Sequence, residues 1–341
     1  MYQYDPSEWL LFFYFYCFCG WIWECCYVSV KQRKWVNRGF LYGPFLPIYG
    51  SGAICVLIMT IPVKDSLLAV FFMGMLGATV LEYITGFVME KLFGVRYWDY
   101  SNVPLNLHGH ICLMASLGWG IFSVIMIRVA HLPVEQMVYA IPDTVRETLA
   151  IFITVVFVAD FTKSFQEAMD LKELIMRLTE GNEEIRRLQK RMDVIIAVLN
   201  DEKDGLLEKA EEGIHRYSEY VKEYRERTEE KKQEKKVAQG EGIERYRQLK
   251  AEFIEAAAHF ANNLTEQISL KNKENGTDRD RLGEELEETK SSIQKLRGMF
   301  ELNRRKEFIS SKRILRRNPG VFSKEYAEAL KEVQEMDKTN R

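Results

Sequence analysis

The chain is 341 residues long with a formal net charge of −2, so it carries no global electrostatic attraction for nucleic acid. Its mean hydropathy of −0.21 is that of a soluble protein, but the value averages two unlike halves. Before Asp160 lie long apolar stretches almost free of charge, and the densely charged remainder must supply most of the 28% of residues that are Asp, Glu, Lys or Arg. Water does not stabilise the first half and a bilayer does not accept the second. The expected fold class is therefore all-α: a polytopic membrane bundle of about five transmembrane helices over residues 1–162, with a cytoplasmic helical, coiled-coil tail over residues 163–341.

Met1 to Glu8 holds no Lys or Arg and no convincing cleavage site follows, so the first apolar run reads as a retained anchor. That run, Trp9 to Val30, is interrupted only by Glu24, which closes a Gly20-Trp21-x-x-Glu24 motif. The next segment runs from Arg38 to Gly52 and contains Gly39, Gly43, Pro44, Pro47, Tyr49 and Gly50. Its Gly and Pro density forbids a regular helix throughout, leaving a tight interfacial turn or a re-entrant segment lining a path. Pro47 to Val63 is a shorter span candidate. Leu67 to Met89 is a full-length one and contains Glu82.

Gly74, Ala78, Glu82, Gly86 and Glu90 recur every fourth residue, which places them on one slowly turning helical stripe. Small residues permit close helix approach, so Glu82 is aimed at protein rather than lipid. An ionised group in the membrane costs about 2.5 kcal/mol or more. Glu24 and Glu82 thus read either as proton- or cation-coupling carboxylates or as structural ones paired with Tyr, Trp or a loop Arg. Beyond the span, Lys91, Phe93, Trp98, Asp99, Tyr100, Ser101, Asn106, Gly109 and His110 mix aromatic and polar groups, as an interfacial lid or helix cap would. His108 and His110 alone do not make a zinc site.

Ile111 to Ile127 is free of charge until its flank. Val145 to Phe161 is a weaker fifth span, bounded by Arg146, Glu147 and Asp160. Five spans with an outside N-terminus put the basic first and third loops, and the tail, in the cytoplasm. The six cysteines (Cys17, Cys19, Cys25, Cys26, Cys55 and Cys112) form no CxxC pair and read as small packing residues; Cys25 and Cys26 are weak acylation candidates.

In the tail, Leu171, Leu178, Ile185, Met192 and Leu199 share one heptad register, with Leu174, Leu188 and Ile195 in its companion and Gly181 as a gap. A straight helix from Lys163 to Asn200 would reach roughly 57 Å. This seam predicts self-association, an intramolecular hairpin or a docking arm for another protein. Glu223 to Gln239 reads as a solvated helix or linker, and Asn272 to Arg281 as a break between two further apolar-patterned segments, Tyr246 to Ile268 and Leu282 to Leu302. Near the end, Arg304, Arg305, Lys306, Lys312, Arg313, Arg316 and Arg317 form a basic segment, either a solvated face or an attractor of anionic lipid.

The motifs at Gly20 to Glu24, Gly43 to Gly50, Glu82-Tyr83-x-Thr85-Gly86, Glu90-Lys91-x-Phe93 and Trp98 to Ser101 together resemble a bacterial family of ABC-transporter permeases, type IV or CmpB-like. The likeness covers most of Gly20 to Ile127. A thinner likeness extends to Arg316-Arg317-Asn318-Pro319 and Ser323-Lys324-x-Tyr326, and the family pattern implies a basic residue where His110 stands. The resemblance implies a transport subunit in the bacterial inner membrane. No phosphate-binding Gly-x-x-x-x-Gly-Lys-Ser/Thr loop occurs, so a separate ATPase subunit would have to dock, and no cofactor is implied. The rival expectation is a membrane-anchored sensor or scaffold acting through the tail. An intramembrane enzyme ranks last, because no nucleophile or metal set accompanies the two carboxylates.

Overall fold

The computed structural model describes residues 4–199, 240–271, 278–302 and 306–339, with isolated positions 215, 219 and 222. The stretch over residues 223–239, expected to be a solvated helix or a linker, most of the break over 272–281, and Arg304 and Arg305 lie outside the described residues. Within them the chain is almost entirely helical. Four segments are long and apolar enough to cross a membrane: Pro6–Gln32, Leu67–Phe93, Leu113–Tyr139 and Asp143–Ile195, while Pro47–Val63 is a shorter apolar helix. The five expected spans are therefore four long ones and a short one. At 1.5 Å per residue the short one covers about 25 Å, less than a hydrocarbon core of about 30 Å.

Local chemistry sets the ends. Helix α1 (Pro6–Gln32) begins with a capping box between Asp5 and Glu8 and stops at Arg33, whose φ of 52° is left-handed. Helix α2 (Pro47–Thr60) starts on a proline, which loses no intrahelical hydrogen bond there. Helix α3 (Leu67–Phe93) is capped by the Ser66 hydroxyl and ends at Gly94 with φ 68°. Helix α4 (Leu113–Ile125) passes through a five-residue π-helical segment, Met126–Ala130, into α5 (His131–Tyr139). Helix α6 is unbroken from Asp143 to Leu199, so the expected boundary at residues 162/163 falls inside one helix. Helices α7 (Gly240–Lys271), α8 (Asp278–Leu302), α9 (Lys306–Arg317) and α10 (Ala327–Thr339) follow.

The chain divides into two compact units: residues 1–172 with 309–325, and residues 173–308 with 326–341. In the first, Leu11, Phe12, Val56, Leu57, Ala78, Met126 and Val138 form an apolar core. Meanwhile Trp23, Phe72, Ile84, Ile151, Phe152 and Val155 are exposed, an outward apolar surface suited to acyl chains. The α3 stripe packs on α4: a Cβ at Gly74 would stand 2.2 Å from the Ser123 hydroxyl, so only glycine permits this approach.

In the second unit the tail's heptad seam is covered by the same chain. Ile185, Leu188, Met192 and Ile195 pack with Phe253, Ile254 and Ala261 of α7 and Leu286, Ile293 and Leu296 of α8. Of the arrangements the seam allowed, the intramolecular one is found. A buried Lys250 ties this unit together, donating to Asn182 Oδ1 at 2.6 Å and Glu332 Oε2 at 3.2 Å.

The basic end segment departs from both of its expectations at two positions. Arg313 and Arg317 neither line a solvated face nor reach for lipid; they pack into the first unit, donating to the Phe40 and Leu41 carbonyls, and buried carbonyls need such partners.

Candidate functional site

Two loops meet at one end of the membrane unit. Residues 33–46 leave α1, and residues 94–112 leave α3; Arg38 Nη2 of the first donates to the Tyr97 carbonyl of the second at 3.0 Å. Glu24, in the last third of α1, accepts a hydrogen bond from the Tyr49 hydroxyl of α2 at 2.8 Å and lies 3.8 Å from Arg38 Nε. Burial holds the Arg38 guanidinium below its ordinary pKa, and Glu24 opposes that shift.

Glu82 is buried in α3 and accepts from the Tyr100 hydroxyl at 3.1 Å and from Trp119 Nε1 of α4 at 2.9 Å. Burial, followed by the Glu82 carboxylate, pushes the Tyr100 phenol up, and Glu24 contributes in the same sense. Tyr100 therefore senses both membrane carboxylates. Each of the two has Tyr, Trp or Arg partners, so neither presents an unpaired charge to lipid.

A second tier lies at the end of α3. Glu90 takes Arg96 at 2.6 Å and His110 at 3.2 Å on its two oxygens. Arg96 also reaches Asp99 at 3.4 Å and the His108 carbonyl at 2.9 Å. Asp99 is further bonded by the Ser101 hydroxyl at 2.6 Å; against the burial that pushes it up, the Ser101 hydrogen bonds and Arg96 hold it below the usual carboxylate range. His110 is held below its ordinary value by burial and by Arg96, with Glu90 opposing.

The backbone fits this tier closely. Gly109 has φ +78°, and a Cβ there would stand 2.4 Å from the Ser101 hydroxyl and 2.7 Å from Arg96 Nη1. Asn106 Oδ1 accepts from the Gly109 N–H at 3.0 Å, closing the turn between strands β1 (Asn106–Leu107) and β2 (Ile111–Cys112). Trp98 Nε1 donates to the His110 carbonyl at 2.9 Å, and Tyr83 pairs with His108 at 3.1 Å. Gly86 lies under Trp98 and His110.

The Gly/Pro loop is an irregular cover held by protein. Tyr42 and Gly43 both donate backbone N–H groups to the Asp160 carboxylate of α6, at 2.8 and 2.6 Å. Gly39 has φ 138°, Pro44 is exposed, and Pro47 opens α2, where Gly50 packs on Cys17 and Phe13. The segment 309–325 then clasps both loops. Arg317 donates to the carbonyls of Asn37 (2.9 Å), Leu41 and Tyr42 (2.9 Å), and to Asn37 Oδ1. Arg313 pairs with Glu167 and lies 3.8 Å from the Tyr42 ring centroid. Asn318 reaches the Gly39 carbonyl at 3.2 Å, and Phe322 bridges Arg96 in antiparallel fashion. Burial lowers the Arg317 guanidinium to about 10, still charged at neutral pH.

Most of the site residues singled out in the sequence thus gather at this one end, whereas Gly74 and Ala78 pack farther along α3, and Pro44, Asp99 and Asn106 stay exposed. Sequence reasoning missed Arg96, Trp119, Asp160, Glu167, Arg313 and Arg317 as members. Only the Arg316 to Pro319 motif signalled any of them, and nothing in local spacing could pair residue 317 with residue 41.

Membrane-length apolar helices joined through partnered carboxylates, Glu82 buried and Glu24 half-buried, define a polytopic helical membrane protein. Residues 11–165 of the chain match the model of the family described as Putative ABC-transporter type IV, a stretch that takes in α1 to the first part of α6. No curated protein and no solved structure matches the chain.

Proposed function

We propose that the chain is the membrane-embedded permease subunit of a transporter, with no ATPase or other catalytic activity of its own and a separate nucleotide-hydrolysing subunit as partner. The observation that carries this reading is the coincidence of the family match with the bundle that holds Glu24 and Glu82. The knotted loops at residues 33–46 and 94–112 are the surface on which such a partner would act, since any displacement there reaches both carboxylates through Arg38 and Tyr100. The basic first and third loops support the reading that this end faces the cytoplasm, with the N-terminus outside, in a bacterial inner membrane.

Reconstitution into vesicles with a co-purified ATPase tests it. ATP-dependent flux that is lost in Glu82→Gln, with the bundle still folded, is expected; purification without any nucleotide-binding partner and without flux refutes it. Glutamine offers one acceptor oxygen where two donors now converge on a carboxylate.

A second reading, a scaffold or sensor working through the tail, is favoured by the separate second unit with its own core. Its closed seam argues against self-association along that face. Replacing residues 173–308 by a flexible linker separates the readings: retained flux supports the permease, and loss of partner recruitment alone supports the scaffold.

A further inference from the structure

Away from the loop knot, at the opposite ends of α1 and of the α4–α5 segment, lies a second polar chain that the proposed transport role does not use. His131 is 4% exposed, and both of its ring nitrogens are engaged: Nε2 by the Tyr4 hydroxyl at 3.1 Å and Nδ1 by the Tyr16 hydroxyl at 3.0 Å. Tyr4 in turn donates to Glu135 Oε1 at 2.5 Å. The π-helical segment Met126–Ala130 ends immediately before His131, and in the helix that follows His131, Val134 and Val138 are buried. Such segments inside helices occur frequently at functional sites.

Donor counting orients the chain. A phenol has one proton, and Tyr4 spends its own on the Glu135 carboxylate, so Tyr4 must accept from His131 Nε2–H. In the neutral ring Nδ1 is then bare and accepts from Tyr16. The single open protonation site is Nδ1. Among the described residues, the other titratable or charged groups at this end include Asp5, Glu8 and Cys19 beside and along α1, Lys64 and Asp65 before α3, Arg128 in the π-helical segment (bound to the Lys64 carbonyl), Tyr139 on α5, and Asp143, Arg146 and Glu147 on α6. Arg146 is already bound by Glu8 at 3.2 Å and Asp143 at 2.7 Å, so Glu135 is the carboxylate that faces an imidazolium.

We propose that His131 is a proton-binding site that couples acidification at this end of the bundle to the packing of α1 against α5. One proton from solvent adds to Nδ1, and no other covalent bond forms or breaks. Both ring N–H groups then donate. The Tyr4–Glu135 arm is strengthened, while the Tyr16 hydroxyl must turn from donor to acceptor and send its own proton elsewhere. The α1–α5 contact at Tyr16 is remade, and α1 also carries Glu24.

The test is a pH titration of the full chain in detergent, labelled with nitrogen-15 at its five histidines, with the His131 signal assigned by its loss in His131→Gln or, if that variant fails to fold, by its shift in Tyr16→Phe. The expected result is an Nε2–H tautomer at high pH that becomes doubly protonated on acidification. In Glu135→Gln the midpoint should fall by about one pH unit, and in Tyr16→Phe it should rise, because the donor that favours a bare Nδ1 is gone. An Nδ1–H tautomer at high pH, no protonation down to the pH of unfolding, or a midpoint indifferent to Glu135→Gln would each overturn the proposal. The outcome does not depend on whether the chain transports anything.

Discussion

Arg317 shows how much one side chain contributes here. Its guanidinium supplies donors to three backbone carbonyls of the Gly/Pro loop, and a loop of that composition has no secondary structure to satisfy them otherwise. Arg317→Met should therefore cost about 3 kcal/mol of stability, read as a lower thermal transition in detergent, because it strands buried acceptors. Arg317→Lys should fall between, since an ammonium keeps the charge but cannot span the carbonyl set. His110 makes a pH prediction. Its folded-state pKa lies below the unfolded value of about 6.5, so the neutral ring is the one the fold favours. That contribution is complete above about pH 6.5 and is lost as pH falls through the folded value. The melting temperature of the wild type should thus decline more steeply below pH 6 than that of His110→Gln.

At the scale of elements, the glycine stripe gives a paired test. Gly74→Ala would press a methyl group against Ser123 and separate α3 from α4, at about 1–3 kcal/mol. Ser123→Gly should restore much of that loss. Gly118 meets nothing within 4 Å, so Gly118→Ala should be within about 1 kcal/mol of neutral. In the second unit Lys250→Ala leaves Glu332 buried without its ammonium, at about 3–5 kcal/mol, seen as early loss of helical signal from α7 and α10. These elements were largely legible beforehand. Charge-free runs gave the spans, and the fourfold spacing from Gly74 to Glu90 gave the α3 face, since both are local periodicities. The kinds of partner Glu82 has, Tyr and Trp, were among the expectations, but their positions were not legible: Trp119 is 37 residues away and Tyr100 lies in a loop with no period to read. The π-helical segment before His131 was equally invisible, because an inserted residue in a helix leaves the hydropathy unchanged.

For the whole molecule, the expected boundary at residues 162/163 placed everything downstream in one tail, but residues 163–172 and 309–325 of that tail belong to the membrane unit. Composition could not show this, because Arg313 and Arg317 look like any solvated basic pair until the carbonyls they serve are known. The consequence is that two shortenings of similar aim should behave oppositely. A chain ended at residue 308 loses Arg313, Arg317, Asn318 and the Phe322 bridge to Arg96 together, leaving both loops with unpaired acceptors and Glu167 without its guanidinium. Its membrane unit should melt well below the wild type and expose the 33–46 loop to protease. Replacing residues 173–308 by a flexible linker removes far more of the chain yet keeps the clasp, so the membrane unit should retain most of its thermal stability and the same loop should stay protected. Equal protection of the loop in both variants would show that the clasp contributes nothing. Loss of protection in the linker variant alone would mean that the second unit, rather than Arg317, holds the loop in place.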